Sequence, residues 1–228
     1  MKSSLGKMIG AYSLLAILVA ALAGCAKTGE PEPAKNSAPE TASAPAEPAK
    51  PLNSNLSPAD AVTQAMRAQL AAKSYRVRIN SPGSGVPGEI LVEYVAPDRI
   101  HMTNPLSEMI AVGSQTYSRQ GQGPWLKAPF DAGEMAKNFR DPKLVDQLTI
   151  IHDVKYLGQD TLDGAPMLVY EYMPKDPKQA ARGGKTKVWI SAVDSLPRKV
   201  ETQGATNLSV TTILYSDYNS DIKIELPV

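Results

Sequence analysis

The 228 residues include one cysteine, two histidines, two phenylalanines and two tryptophans. A lone cysteine forms no internal disulfide, and with two histidines it makes no cysteine-rich zinc site. An excess of charge of either sign is missing too. Twenty-four Lys and Arg against 23 Asp and Glu leave a net charge of +1, without the basic footprint of a nucleic-acid binder. No pattern asks for a metal or a cofactor. What is plentiful is apolar residues, at 43%, enough to bury a core and to exclude wholesale disorder. Nineteen prolines are also many, and their placement divides the chain.

Residues 1–24 read as an address. Lys2 and Lys7 precede Met8–Ala23, which carries no charge. That run is short for a membrane span, which needs about 20 residues, and suits the core of a signal peptide. It ends Leu22-Ala23-Gly24-Cys25, with small residues where a signal peptidase cuts. The sequence here resembles the bacterial lipobox. The resemblance implies cleavage before Cys25 and acylation of Cys25, with palmitate-type chains as the anchor. Two or more acyl chains anchor firmly where one does not. Loss of Lys2 and Lys7 leaves 22 basic and 23 acidic residues, so bulk charge adds no attraction to anionic lipid. Ala26 after the cysteine, where an Asp often retains such proteins at the inner membrane, points to the periplasmic face of an outer membrane. In a cell with a single membrane the address is the outer face of the plasma membrane.

Residues 25–56 are the lipidated Cys25 and a disordered Pro/Ala-rich tether. From 26 to 56 there are six prolines, seven alanines, no aromatic and no β-branched aliphatic residue. Such a stretch buries too little to offset its ordering entropy. It spans about 30 Å as a flexible coil and about 95 Å as polyproline helix.

Residues 57–228 form one folded domain. Ser57 caps, Pro58 suits the first helical position, and Val62, Met66 and Leu70 follow at intervals of four with Ala59 and Ala65 beside them. The spacing predicts an amphipathic helix of about 16 residues. The period then falls to two. Tyr75, Val77 and Ile79 alternate with Arg76 and Arg78. Ile90, Val92 and Tyr94 alternate with Glu89, Leu91 and Glu93. Ile100 and Met102 alternate with Arg99, His101 and Thr103. Similar runs occur at 108–112, 115–120, 124–127, 150–157, 166–172, 185–191, 197–202 and 208–216, separated by short turns such as Gly158 to Gly164. Residues 132–148 read as one or two short helices around Pro142. Short connections exclude parallel crossovers. The expected fold is α+β: a strongly curved antiparallel sheet of about eleven strands, an open half-barrel, with a few helices in its concave face.

Several motifs point to chemistry and are better read as turns. Gly83-Ser84-Gly85-Val86-Pro87-Gly88 fits GxGxxG, but a strand follows it instead of a helix and Pro87 removes an amide donor. Asp217-Tyr218-Asn219-Ser220-Asp221 begins like a calcium loop, yet Ile222 stands where Gly is required. His101 lies on the polar face of its strand, His152 is followed by Asp153 on the opposite face, and no Gly-x-Ser-x-Gly elbow exists. Catalysis is not expected. Lys175, Lys178, Arg182, Lys185 and Lys187 make a basic hairpin loop that either is simply solvated or docks an acidic partner or headgroup. The apolar faces are ordinarily core. With so few Trp and Phe to fill the concavity, Val62, Met66, Leu70, Val77, Ile79, Ile90, Val92, Tyr94 and Met102 are candidates to line a cavity for acyl chains.

The domain resembles the bacterial lipoprotein-carrier superfamily, which includes the LolA and LolB carriers, the RseB sensing domain and LppX/LprG-type lipoproteins. The resemblance rests on the first helix before Tyr75-Arg76-Val77-Arg78 and on Gly88-Glu89-Ile90-Leu91-Val92-Glu93 entering Ala96-Pro97. It continues through His101-Met102-Thr103-Asn104-Pro105, Val112-Gly113-Ser114-Gln115-Thr116-Tyr117, Trp189 and Pro197-Arg198-Lys199-Val200. It implies a half-barrel whose cavity binds acyl chains or lipidated proteins, without enzymatic activity. An RseB-like module that senses envelope state and binds a protein partner is the alternative it implies. LolA-type carriers place an Arg before the matched proline to latch a helical lid, and Ala96 stands there. LolB exposes an apolar residue between its third and fourth strands, near which Leu106 falls.

Overall fold

The computed structural model describes residues 56–82, 88–140, 151–174, 183–204 and 209–227. Cys25, the address and most of the tether lie outside the described residues, as do Lys175, Lys178 and Arg182. The strands are β1 (Ser74–Asn80), β2 (Glu89–Val95), β3 (Arg99–Thr103), β4 (Ser107–Val112), β5 (Gln115–Gln120), β6 (Leu126–Lys127), β7 (Ile151–Leu162), β8 (Ala165–Pro174), β9 (Gly183–Ser191), β10 (Pro197–Gly204) and β11 (Val210–Ser216). The helices are α1 (Pro58–Ala71) and α2 (Ala132–Phe139).

All eleven strands join one antiparallel sheet in the order β6-β5-β4-β3-β2-β1-β11-β10-β9-β8-β7. Each half is a local meander, and the first and last strands pair to join them. The sheet curls around its helices and does not close: β6 and β7 are its two edges. The chain passes from one edge to the other between β6 and β7, and α2 lies on that passage against β3, β4 and β5. Helix α1 lies against β7, β9 and β10.

The alternation is realised as unbroken apolar rows. Met109, Met102, Val92, Val77 and Tyr215 are register partners from β4 to β11. Ile90, Ile79, Ile213, Val200, Val188 and Tyr170 form a second row from β2 to β8. Because partners sit on one side of a pleated sheet, both rows face inward with the helices.

Three local features depart from the pattern read in the sequence. Helix α1 has 14 residues and buries Ala61, Val62 and Ala65; Ala59 is exposed, while Met66 and Leu70 are half-buried. Gly158 does not open the β7–β8 turn. It takes φ +119° inside β7, at one of two register shifts, and the turn is confined to Asp163-Gly164. Only a residue without Cβ takes that conformation cheaply, so the strand bulges and continues. The outer face of β8 and β9 is also apolar: Met167, Val169 and Trp189 are buried there, with the Trp189 indole N–H donating to Asp160 at 2.8 Å.

Candidate functional site

The inner face holds two packed clusters. Val77, Ile79, Ile90, Val92, Tyr94 and Met102 pack with Met109, Ala111 and the α2 residues Ala132 and Ala136. Val62, with Met66 against it, packs with Leu168, Tyr170, Tyr172, Val188 and Ile190. Ile213 and Tyr215 of β11 touch both clusters and bridge them. The structure therefore brings six of the nine sequence candidates together on β1–β3. It puts Val62 and Met66 on the other half under α1, and leaves Leu70 half-buried at the end of that helix.

The helical cover is light. Among the described residues the buried side chains of α1 are two alanines and a valine and those of α2 are alanines, with Met66 and Met135 packed half-buried beside them. The sheet contributes most of the large side chains, and Met66 and Met135 are the long helical ones that meet it.

Beside the first apolar row, two residues further along β1 and β2, sits a tyrosine cluster that sequence reasoning missed except for Tyr94. Tyr75 stacks on Tyr94 with ring centroids 5.2 Å apart, meets Tyr215 edge-on at 6.2 Å and lies 5.7 Å from Tyr218. These residues come from positions 75 to 218, so no local pattern could group them. The Tyr94 hydroxyl donates to Pro97 O at 2.9 Å and that of Tyr218 to Pro197 O at 2.8 Å. Burial pushes the Tyr94 phenol up to about 12, with the Arg140 charge opposing. Burial likewise raises Tyr215 to about 12, against a hydrogen bond with Gln69, and raises Tyr75 against the Arg140 charge. All three stay protonated at neutral pH.

Arg140, one residue past α2, clamps this cluster. Its guanidinium carbon lies 4.2 Å from the Tyr94 ring centroid and 5.3 Å from that of Tyr75. Its Nη2 donates to the carbonyls of Gln69, Leu70 and Ala72, the last at 2.7 Å. Those carbonyls close α1, where the helix dipole is negative. Arg140 thus ties the end of α1 to the sheet. The position before the cis Ala96-Pro97 bond holds no guanidinium, and one reaches the neighbouring Tyr94 ring from the helical side instead. Arg198 mirrors it, lying 4.9 Å from the Tyr218 ring and pairing with Asp194.

Beneath the cluster the residues after β11 form a strap. Asp217 to Asp221 make a turn, with Asp217 and Asn219 at positive φ. Asn219 N–H donates to Ser74 O at 2.8 Å, and the Asn219 side chain accepts from Lys73 N–H at 2.7 Å. Ile222 and Ile224 are buried, and Arg99 donates to Ile224 O at 2.9 Å.

A network of titratable side chains lies on the outer face. Arg76, Glu93, His101, Glu108 and Arg119 form a ladder across β1 to β5, and Arg119 lies over Trp125. His101 is a rung of this ladder, flanked by carboxylates at both ring nitrogens. Burial raises the Glu93 and Glu108 carboxyls, but hydrogen bonds from Arg76 and His101, and from His101 and Arg119, outweigh it and hold both below the usual range. Of His152 only the backbone is described, at the start of β7. Lys185 is exposed and pairs with Glu171 at 3.4 Å. Leu106 is exposed at the β3–β4 turn. Among the described residues no group of three potential metal ligands occurs, and no helix is long and apolar enough to cross a membrane.

An edge-open antiparallel half-barrel, with two small helices on an apolar inner face, is a fold that recurs among solved structures. The chain has the fold of two solved mycobacterial proteins. The Mycobacterium tuberculosis lipoprotein LppX superposes with a TM-score of 0.58 at 13% identity, covering 74% of this chain and 98% of that one. LprF from Mycobacterium bovis superposes with a TM-score of 0.57 at 14% identity, covering 75% and 96%. No family model matches the sequence, and no curated protein matches it.

Proposed function

We propose that the chain is a membrane-anchored, non-enzymatic lipoprotein of the cell envelope that holds acyl chains, free or on a lipidated protein, against the inner face of its sheet. Cys25 is the anchor, and 26–56 is the tether. The observation that carries the reading is the pair of unbroken apolar rows, one from β4 to β11 and one from β2 to β8, under two lightly seated helices. The LppX lipoprotein shares this fold, which supports the same reading.

Energetics favour it. An acyl chain gains about 0.8 kcal/mol per CH₂ on burial. A sixteen-carbon chain gains on the order of 10 kcal/mol before ordering costs. Among the described residues the helices offer mostly alanines, Val62 and the half-buried Met66 and Met135 to the sheet, small or pliable side chains that an acyl chain could displace. The titratable ladder, in contrast, is on the outer face, away from the rows. That placement suits solubility and register better than acid–base chemistry on a cargo.

The test is native mass spectrometry with lipid extraction on the mature chain, taken from envelope membranes. A stoichiometric co-purifying lipid or acylated peptide is expected. An apo mass, together with no uptake of added palmitate or phospholipid, would overturn the reading.

A further inference from the structure

We propose that Arg140 receives the acid headgroup of the bound amphiphile, so that the cargo is an acyl chain ending in a carboxylate or phosphate and not a neutral lipid. This rests on the carrier reading and sharpens it.

A guanidinium carries five N–H donors and no acceptor. Nη2 of Arg140 is shared among three carbonyls at the end of α1. Nη1 is buried and has no hydrogen-bond partner. A buried donor without a partner is costly, more so on a charged group. The partners that the described residues give this cation are all uncharged: three carbonyls and the faces of Tyr75 and Tyr94. Arg198, the other guanidinium at the cluster, also has a buried Nη1 without a partner, but its Nη2 holds the Asp194 carboxylate. Among the described residues Arg140 is therefore the guanidinium at the cluster without a carboxylate partner.

Its place fits the ligand. Tyr94 follows Val92 on the inner side of β2, and Tyr75 precedes Val77 on the inner side of β1. The cation thus stands beside the Val77-Val92-Met102 row, two residues further along β1 and β2. An acyl chain laid along β1 and β2, over Ile79 and Val77 and over Ile90 and Val92, would bring its head to the Tyr75 and Tyr94 rings and the guanidinium. An acid group there replaces a missing acceptor with a charge-assisted one. A neutral ester or alcohol head offers a weaker acceptor and leaves the charge unpaired.

The experiment compares matched pairs on the full mature chain at about pH 8, where both acids are ionised. One pair is palmitate and methyl palmitate; the other is phosphatidic acid and diacylglycerol in mixed micelles. The wild type is expected to prefer the acid by about tenfold in at least one pair, and the pair that shows it identifies the head. Arg140→Gln is expected to equalise that pair, while Arg198→Gln keeps the preference. A merely structural Arg140 would weaken acid and neutral twin alike and leave their ratio unchanged. Equal wild-type binding within both pairs, or a preference that survives Arg140→Gln, would overturn the assignment and leave the carrier reading standing. Uptake of none of the four would sink both. Should Arg140→Gln fail to fold, carboxyl-¹³C palmitate on the wild type decides. Its carboxyl should titrate below that of palmitate in the micelle, because a neighbouring cation favours the ionised form. Titration at or above the micelle value would overturn the assignment.

Discussion

His101 Nε2 lies 2.7 Å from Glu108 Oε1, while its Nδ1 faces Glu93 Oε2 at 3.1 Å, so one imidazole links carboxylates of two flanking strands. Arg76 and Arg119 hold the far sides of those carboxylates. The ladder pins the register of β1 to β5 on the outer face, as the apolar rows do on the inner one.

Acid should loosen this ladder. The Glu93 and Glu108 carboxyls are depressed in the folded state, so their contribution is present above the unfolded glutamate value of about 4.3 and is lost as pH falls through the folded values. Denaturant midpoints should fall below about pH 4.3, and Glu108→Gln should flatten that limb. At neutral pH the same variant should cost about 0.2–1 kcal/mol, as exposed pairs do. An unchanged acid limb would contradict the role given to the ladder.

Base should act on the tyrosines. Tyr94 and Tyr215 sit at about 12 when folded. A raised phenol contributes stability fully present below the unfolded value of about 10 and lost as pH rises towards the folded one. Ultraviolet titration should show a late tyrosine class, and unfolding midpoints should fall from about pH 10 to about 12. Tyr94→Phe should lessen that fall.

Gly133 seats α2 on the turns below it. A Cβ there would lie 2.1 Å from Gly113 O and 2.7 Å from Asp98 O, both backbone atoms that cannot step aside. Gly133→Ala should destabilise by about 1–3 kcal/mol. At about 2–4 °C per kcal/mol for a domain of this size, calorimetry should show a drop of several degrees. A drop within error would mean that α2 moves freely on the turns.

Ser57 caps α1 by accepting from Asp60 N–H at 3.2 Å. Ser57→Ala should cost about 1 kcal/mol. Since α1 is a light cover, the variant should also take up a fluorescent fatty acid faster in stopped flow. Uptake at the wild-type rate would argue that α1 does not move to admit cargo.

Cys25→Ser should shift the protein from the membrane fraction to the soluble one and abolish incorporation of labelled palmitate. Membrane partition that survives the change would refute the acyl anchor.

The eleven strands were legible because alternation is a local signal, and the sheet expresses it as register. Val77, Ile79, Ile90 and Val92 read as inward from spacing alone and are inward. The β7 bulge was not legible, since Gly158 serves a turn or a bulge equally well until its partner strand is known. Arg140 was not legible either. Its partners are carbonyls at Gln69, Leu70 and Ala72 and rings at Tyr75 and Tyr94, brought together only by the passage of the chain between the two sheet edges. A lone arginine beside a helical stretch announces nothing.

The pairing of β1 with β11 sets an order on how the protein is made. Arg76 finds Ser216 only after nearly the whole domain has been synthesised. Closing so long a loop is slow relative to forming the hairpins inside each meander. Until then the inner edge of β1 is an unpaired strand with Tyr75, Val77 and Ile79 uncovered, a surface that invites aggregation or a chaperone. A chain cut short anywhere before Val210 would keep that edge open for good, and proteases should clear it while sparing the finished molecule.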